Sequence, residues 1–217
     1  NSFPTLVIDQ LFIKAYRMTQ SKEANPVVQT KSDGRLMRSE RSRRLIIEAI
    51  IQLIDEGFLI PTAQQVACRA NVGIRSVFRH FDDMDDIFET ANEIIFQDTR
   101  PLFVGGDRSG ILTDRIVRCT QQLTSGYNSV KNFMLSGRIR RWNTPVIQKN
   151  YMLNTKRLQK ELESWIPEIL ELSEPDRQCA YALASFDFWL RLSVDQQVSE
   201  KDCINIISRQ LQALLPQ

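Results

Sequence analysis

From Arg41 onward the sequence sets four helices in an order, and at spacings, that tightly restrict how the chain can fold. Leu45, Ile46, Ala49, Ile50, Leu53 and Ile54 recur at helical spacing, and Gly57 follows as a stop. After a short connector, Phe58 to Pro61, Thr62 stands where a helix N-cap belongs, its hydroxyl able to accept an orphan backbone N–H. Val66, Ala67 and Ala70 then make an apolar stripe small enough for another helix to cross closely. Asn71-Val72-Gly73 breaks this second helix, and Asn is the non-glycine residue best suited to a left-handed turn position. Ile74 to Phe81 predicts a third short helix, with Val77, Phe78 and Phe81 on its apolar side. Asp82 and Asp83 open a fourth, from Met84 to about Phe96, where acidic side chains suit the positive end of the helix dipole. Two short helices joined by a tight turn and braced by a longer first helix make the helix-turn-helix arrangement.

The run from Arg44 to Phe88 resembles the DNA-binding domain of TetR-type transcriptional regulators. The shared features are a first helix ending in Gly57, then Thr62, Val66 and Ala67 in a Thr-x-x-x-apolar-Ala pattern, and the turn at Ala70 to Gly73. The Phe78-Arg79-His80-Phe81 end of the third helix and the acidic-capped fourth helix complete it. The resemblance covers about 45 residues closely, and the rest agrees in helical layout. It implies an all-α chain with an N-terminal three-helix helix-turn-helix DNA-binding domain and a C-terminal helical ligand-binding and dimerisation domain. The expected division is an N-terminal extension or arm over residues 1–34, the DNA-binding domain over 35–100 and the C-terminal domain over 101–217.

In such a motif the third helix enters the major groove and its early residues reach base edges. Ile74, Arg75, Ser76 and Arg79 are the positions expected to be exposed there. Arg75 is the best base reader, because a guanidinium can bond guanine O6 and N7 as a fork. Thr62, Gln64 and Gln65 begin the second helix, where hydroxyl, amide and backbone N–H groups suit phosphate. The resemblance sets His80 against the DNA backbone, while a packed or simply exposed ring reads as well from the residues. Gly73 and Phe78 belong to the same contact set but depart from the family pattern, where Ser and Tyr are usual. Asn71 for Gly and Met84 for Lys depart too.

Between Lys31 and Arg44 six basic side chains, Arg41 and Arg44 among them, stand against two acidic ones. Directly ahead of a helix-turn-helix, such an arm suits phosphate or a minor groove. Residues 1–34 themselves combine an apolar run, Phe3 to Ile13, with a polar stretch from Gln20 to Gly34. They fit a short docked helix or a free tail equally.

Beyond Arg100-Pro101 and Gly105-Gly106, helical segments are expected near 111–126, 128–141, 145–165, 175–195 and 200–215. Cys179 to Leu192 is apolar nearly all round and so calls for cover on every face. Ile204, Ile207, Leu211 and Leu214 then form a stripe at three- and four-residue steps. Together with Leu183, Phe186 and Leu190 they are the expected homodimer interface, a four-helix bundle of the last two helices with their symmetry mates. The resemblance implies a small-molecule effector in this domain, with Phe103, Trp142, Tyr151, Phe186 and Trp189 as candidates to line its site.

Composition excludes more than it selects. A net charge of +2, from 28 basic and 26 acidic side chains, argues against general coating of nucleic acid and leaves a local basic patch open. The 42% hydrophobic and 25% charged content is that of a globular chain, and 8 Gly with 8 Pro lean helical. Four cysteines separated by 51, 60 and 24 residues give no metal-binding spacing; without a signal peptide they fit a reducing cytoplasm. No apolar run reaches the roughly 18 residues of a membrane span. With one histidine, no Gly-x-Ser-x-Gly and no phosphate-binding glycine motif, neither catalytic residues nor a cofactor are expected. The reading is a dimeric DNA-binding regulator, most often a repressor of a palindromic operator, released by an effector. The alternative is a helical protein-interaction module that keeps the fold without binding DNA, for which Gly73, Phe78, Met84 and the near-neutral charge speak.

Overall fold

The structure, a computed structural model, describes residues 33–215. The expectations for residues 1–32, Lys31 and the apolar run included, lie outside the described residues. Among the described residues the regular elements are all helical. They are α1 (Asp33–Asp55), α2 (Ala63–Arg69), α3 (Ile74–His80), α4 (Met84–Phe103), α5 (Leu112–Arg140) and α6 (Pro145–Trp165). A 3-10 turn at Pro167–Glu171 leads to α7 (Glu174–Leu183), α8 (Phe186–Leu190), a π-helical turn at Arg191–Asp195 and α9 (Glu200–Leu214). None of these helices is long and apolar enough to cross a membrane.

The chain divides into two compact units. One comprises the described residues to Asp98 together with Lys131–Ile147; the other comprises Thr99–Val130 and the described residues from Gln148. The division near residue 98 falls close to the expected boundary, whereas Lys131–Ile147 packs with the first unit rather than with the C-terminal helices. Its polar side chains explain why. Asn132 Nδ2 donates to the Asp55 carbonyl at 2.7 Å, capping the end of α1, and Ser136 Oγ donates to the Leu59 carbonyl at 2.6 Å. Arg140 Nη1 meets Asp85 Oδ1 at 2.8 Å, and Thr144 donates to the other oxygen of the same carboxylate. Phe133 stacks on Phe88 at 5.1 Å between centroids, and Ile147 joins the buried core.

Within the first unit, α1 buries a wider arc than its predicted stripe, because Ile47 and Ile51 are buried alongside Ile46, Ile50 and Ile54. It ends as Gly57 foretold. Gly57 sits at φ +102°, its N–H bonds the Ile54 carbonyl, and the Phe58 N–H reaches back to Leu53, which together satisfy the last carbonyls. In the second unit, Tyr127 is fully buried among Phe103, Phe186 and Trp189, each with its ring centroid 5.5–5.7 Å away, and donates to the Ala184 carbonyl at 2.8 Å. Gly126 permits this packing, since a Cβ there would stand 2.6 Å from the Phe103 ring. The segment expected as a single helix over 175–195 is divided, because Ser185 caps a fresh start by accepting the Phe188 N–H at 3.2 Å. The two helices expected over 111–141 are present within α5 and meet at a kink at Val130, where φ −118° and ψ 17° depart from helix.

Arg140 is only 7% exposed and its guanidinium lies 5.0 Å over the Phe88 ring, so Asp85 supplies the charge that makes its burial tolerable. Asp85→Ala should lower the unfolding free energy by about 3 kcal/mol in urea titrations. Adding Arg140→Met should recover most of that loss, because the stranded charge goes with it. A double variant no more stable than the single would show that the stranded Arg140 charge is not the cause of the loss.

Candidate nucleic-acid interface

Each end of the helix-turn-helix is fixed by a local bond that the sequence spells out. Thr62 caps α2 reciprocally: its hydroxyl accepts the Gln65 N–H at 3.3 Å, and Gln65 Oε1 accepts the Thr62 N–H at 2.8 Å. At the far end Asn71 takes φ 52°, with its N–H on Cys68 and the Val72 N–H on Ala67, so Asn does the work that Gly57 does after α1. Gly73 begins α3 without a side-chain cap. Asp83 closes the motif by accepting the N–H groups of Asp85 and Asp86 at 2.8 and 2.9 Å.

These bonds set which α3 side chains face outward. Val77 and Phe81 are buried against the core, one helical turn apart. Ile74 and Phe78, also one turn apart, are 40% and 51% exposed, and Arg75 and Arg79 are exposed with them. Phe78 thus corrects the expectation that placed it on the apolar side: it follows Val77 by one residue, about 100° around the helix, and falls outside the buried arc. Ser76 is half-buried rather than exposed, and its hydroxyl accepts from Arg79 Nη2 at 2.9 Å. Arg75 has no hydrogen-bond or ion-pair partner among the described residues.

The expected phosphate-contacting residues divide in two. Gln64 and Arg41 are exposed and unengaged among the described residues. Thr62 and Gln65 are already spent on one another as the cap, and Arg44 makes a loose pair with Glu48 at 3.7 Å. Arg69 is held by Glu56 through two 2.7 Å bonds; the Arg69 hydrogen bond keeps the Glu56 carboxyl below its usual range. Arg43 covers the Phe81 ring at 4.8 Å.

In the second unit, Phe103, Phe186 and Trp189 come together around Tyr127, and Tyr151 donates to Asp187 Oδ2 at 3.0 Å. Trp142 does not join them. It belongs to the first unit, is 72% exposed and stacks under Arg141 at 4.4 Å. Tyr127 escaped the sequence reading, although Cys119, Leu123 and Tyr127 recur every four residues on one face of α5. The expected interface divides as well. Phe186, Leu190, Ile207 and Leu211 are buried inside their own unit, because α9 lays its stripe on α7 and the π-helical turn. Leu183, Ile204 and Leu214 remain half-exposed.

His80 is half-buried, and its Nε2 has no hydrogen-bond partner among the described residues. Burial, and then the Arg79 and Arg43 cations, hold its imidazole below the usual range, so it is neutral at pH 7 and offers a phosphate no full charge. A lowered pKa in the folded chain means that the unfolded chain takes up the proton first as pH falls below about 6.5. The stability from the neutral ring is complete above that pH and declines below it. Urea midpoints taken between about pH 7.5 and about pH 5.5 should fall more steeply for the wild type than for His80→Gln. Parallel profiles would show an unperturbed ring.

No family model and no curated protein matches the chain by sequence. Among solved structures, a transcriptional regulator from Rhodococcus sp. Rha1 aligns with a TM-score of 0.59 at 14% identity, over 81% of this chain and 95% of that one. A candidate TetR-family transcriptional regulator from Mesorhizobium loti MAFF303099 aligns with a TM-score of 0.51 at 15% identity, over 82% and 96%. With its helix-turn-helix built as the resemblance implies, and its helices shared along most of both regulators, the chain has the fold of TetR-type transcriptional regulators.

Proposed function

We propose that the chain is a DNA-binding transcriptional regulator, a repressor that reads a palindromic operator as a homodimer and leaves it when a small molecule binds the second unit. The observation that carries this reading is the outward face of α3. A helix set between the Asn71 turn and the Asp83 cap of α4 presents an unengaged Arg75 between two exposed apolar side chains, with Arg79 beside them. A guanidinium without an internal partner has no bond to break before it turns toward guanine, whereas Arg69, held by Glu56, would have to break two bonds first. Exposed Arg35, Arg38 and Arg41 on α1 add positive charge suited to phosphate. For the dimer, the support is the half-exposed Leu183, Ile204 and Leu214 on α7 and α9, since twofold pairing would cover them.

Selection of random duplex DNA by the purified chain should recover a palindrome bound with steep salt dependence. Arg75→Ala should then cost about 1–3 kcal/mol at one symmetric base pair and relax preference there, measured by anisotropy on single-position variants of the duplex. Unchanged preference at every position would remove Arg75 from base reading. Ile204→Glu should convert the dimer to monomers in sedimentation and weaken operator binding at least tenfold, because each half-site would be held alone. A dimer that survives this change would place the interface elsewhere.

A further inference from the structure

Ile74 and Phe78, 40% and 51% exposed, hold apolar surface on the same helix that carries Arg75. Val77 and Phe81 already anchor α3, so this second apolar pair is not needed for packing. On α3 itself the neighbouring Arg75 and Arg79 are cationic and exposed, with Asp82 and Asp83 exposed just past its end. A partner that meets those two arginines is anionic there and carries small apolar groups within its polar surface. In the major groove of duplex DNA, one base group meets that description, the 5-methyl of thymine. We propose that Ile74 and Phe78 read thymine by apolar contact with its methyl group, beside the guanine forked by Arg75. This rests on the DNA-binding reading above and goes beyond it by naming base chemistry in the operator.

The spacing limits where the thymines lie. Residues four apart on a helix are separated by about 6 Å along its axis. Stacked base pairs are about 3.4 Å apart, so a helix following the groove would set the two contacts about two base-pair steps from each other. Arg79 is engaged by Ser76, which leaves Arg75 as the unengaged guanidinium of α3. Discrimination in each half-site is then shared between one fork and two methyl contacts. Phe78 is suited to the second of these, since a Tyr there would direct its hydroxyl away toward phosphate, whereas the bare ring offers only apolar surface.

The test uses the palindromic duplex recovered from the random pool and the same duplex with its half-site thymines replaced, one symmetric pair at a time, by deoxyuridine. That exchange deletes the methyl group and keeps every hydrogen-bonding atom. Each contacted methyl should be worth about fourfold in affinity for the wild type. Phe78→Ala should bind the thymine duplex more weakly and lose the methyl dependence at one position, and Ile74→Ala should do so at another. Both side chains are exposed, so melting temperatures unchanged from the wild type should accompany these losses. Equal affinity for the thymine and uracil duplexes, or a methyl effect undiminished in both variants, would overturn the thymine assignment and leave DNA binding standing. Failure to enrich any duplex would overturn both.

Discussion

Helices of seven residues, the length of α2 and α3, lie well below the dozen or so at which an isolated helix becomes even marginal in water. Neither exists without the α1 surface, and the first unit is arranged around that dependence. Val66, Ala67 and Val77 are buried on Ile46, Ile50 and Ile54, and burying each large aliphatic side chain contributes roughly 1.5–3 kcal/mol. The small side chains of α2 matter as much as the large ones of α1, since Ala67 and Ala70 let α3 cross close to its neighbour. Caps then choose among the ways such short pieces could lie: the Thr62–Gln65 box, Asn71 in left-handed backbone and Asp83 each fix one end. Burial supplies the stability and the caps supply the direction in which Arg75 points.

A second support arrives from far along the chain. Lys131–Ile147 contributes no residue to the candidate DNA-contacting face, yet it touches the first unit at the end of α1, at the α1–α2 connector and at the start of α4. Two of these contacts are side-chain donors on backbone carbonyls, one of them the Asp55 carbonyl that the end of α1 leaves without a helical partner. The third is a mostly buried charge pair, whose desolvation offsets much of its attraction. Its contribution is to registry more than to stability, because Asp85 accepts Arg140 and Thr144 at once and so fixes where α4 begins.

How much of this could be read from sequence follows from how local each cause is. Thr62, Gly57, Asn71 and the paired aspartates act within four residues of themselves, and each was legible. The face of α3 was not. Ile74, Val77, Phe78 and Phe81 form two apolar pairs of equal length on a helix of seven residues, and only the position of α1 decides which pair is buried. The last helices are a related case. A stripe such as Ile207–Leu211 shows that a face is covered without saying by which chain, and here the cover comes from its own unit. Trp142 lies outside under Arg141, since an aromatic side chain signals apolar surface without saying whether anything encloses it. The Arg140–Asp85 pair spans 55 residues, a separation at which sequence pattern carries no signal.

The near-neutral total charge, the feature that most favoured an interaction module, loses weight once charge is considered by distance. At physiological salt an exposed charge is screened beyond about 8 Å, so a phosphate at the α3 face responds to the arginines beside it and hardly to acidic groups elsewhere. Arg69 is neutralised by Glu56, and His80 is held below the usual imidazole range by its burial and then by the Arg79 and Arg43 cations. On the proposed reading, the positive charge that meets DNA resides in Arg75 and Arg79 with the exposed arginines of α1, which the net charge of +2 conceals. An affinity that rests on so few charges depends on salt but discriminates little by itself. On the proposed reading, selectivity comes from what stands beside those arginines on α3, and there the chain has placed Ile74 and Phe78.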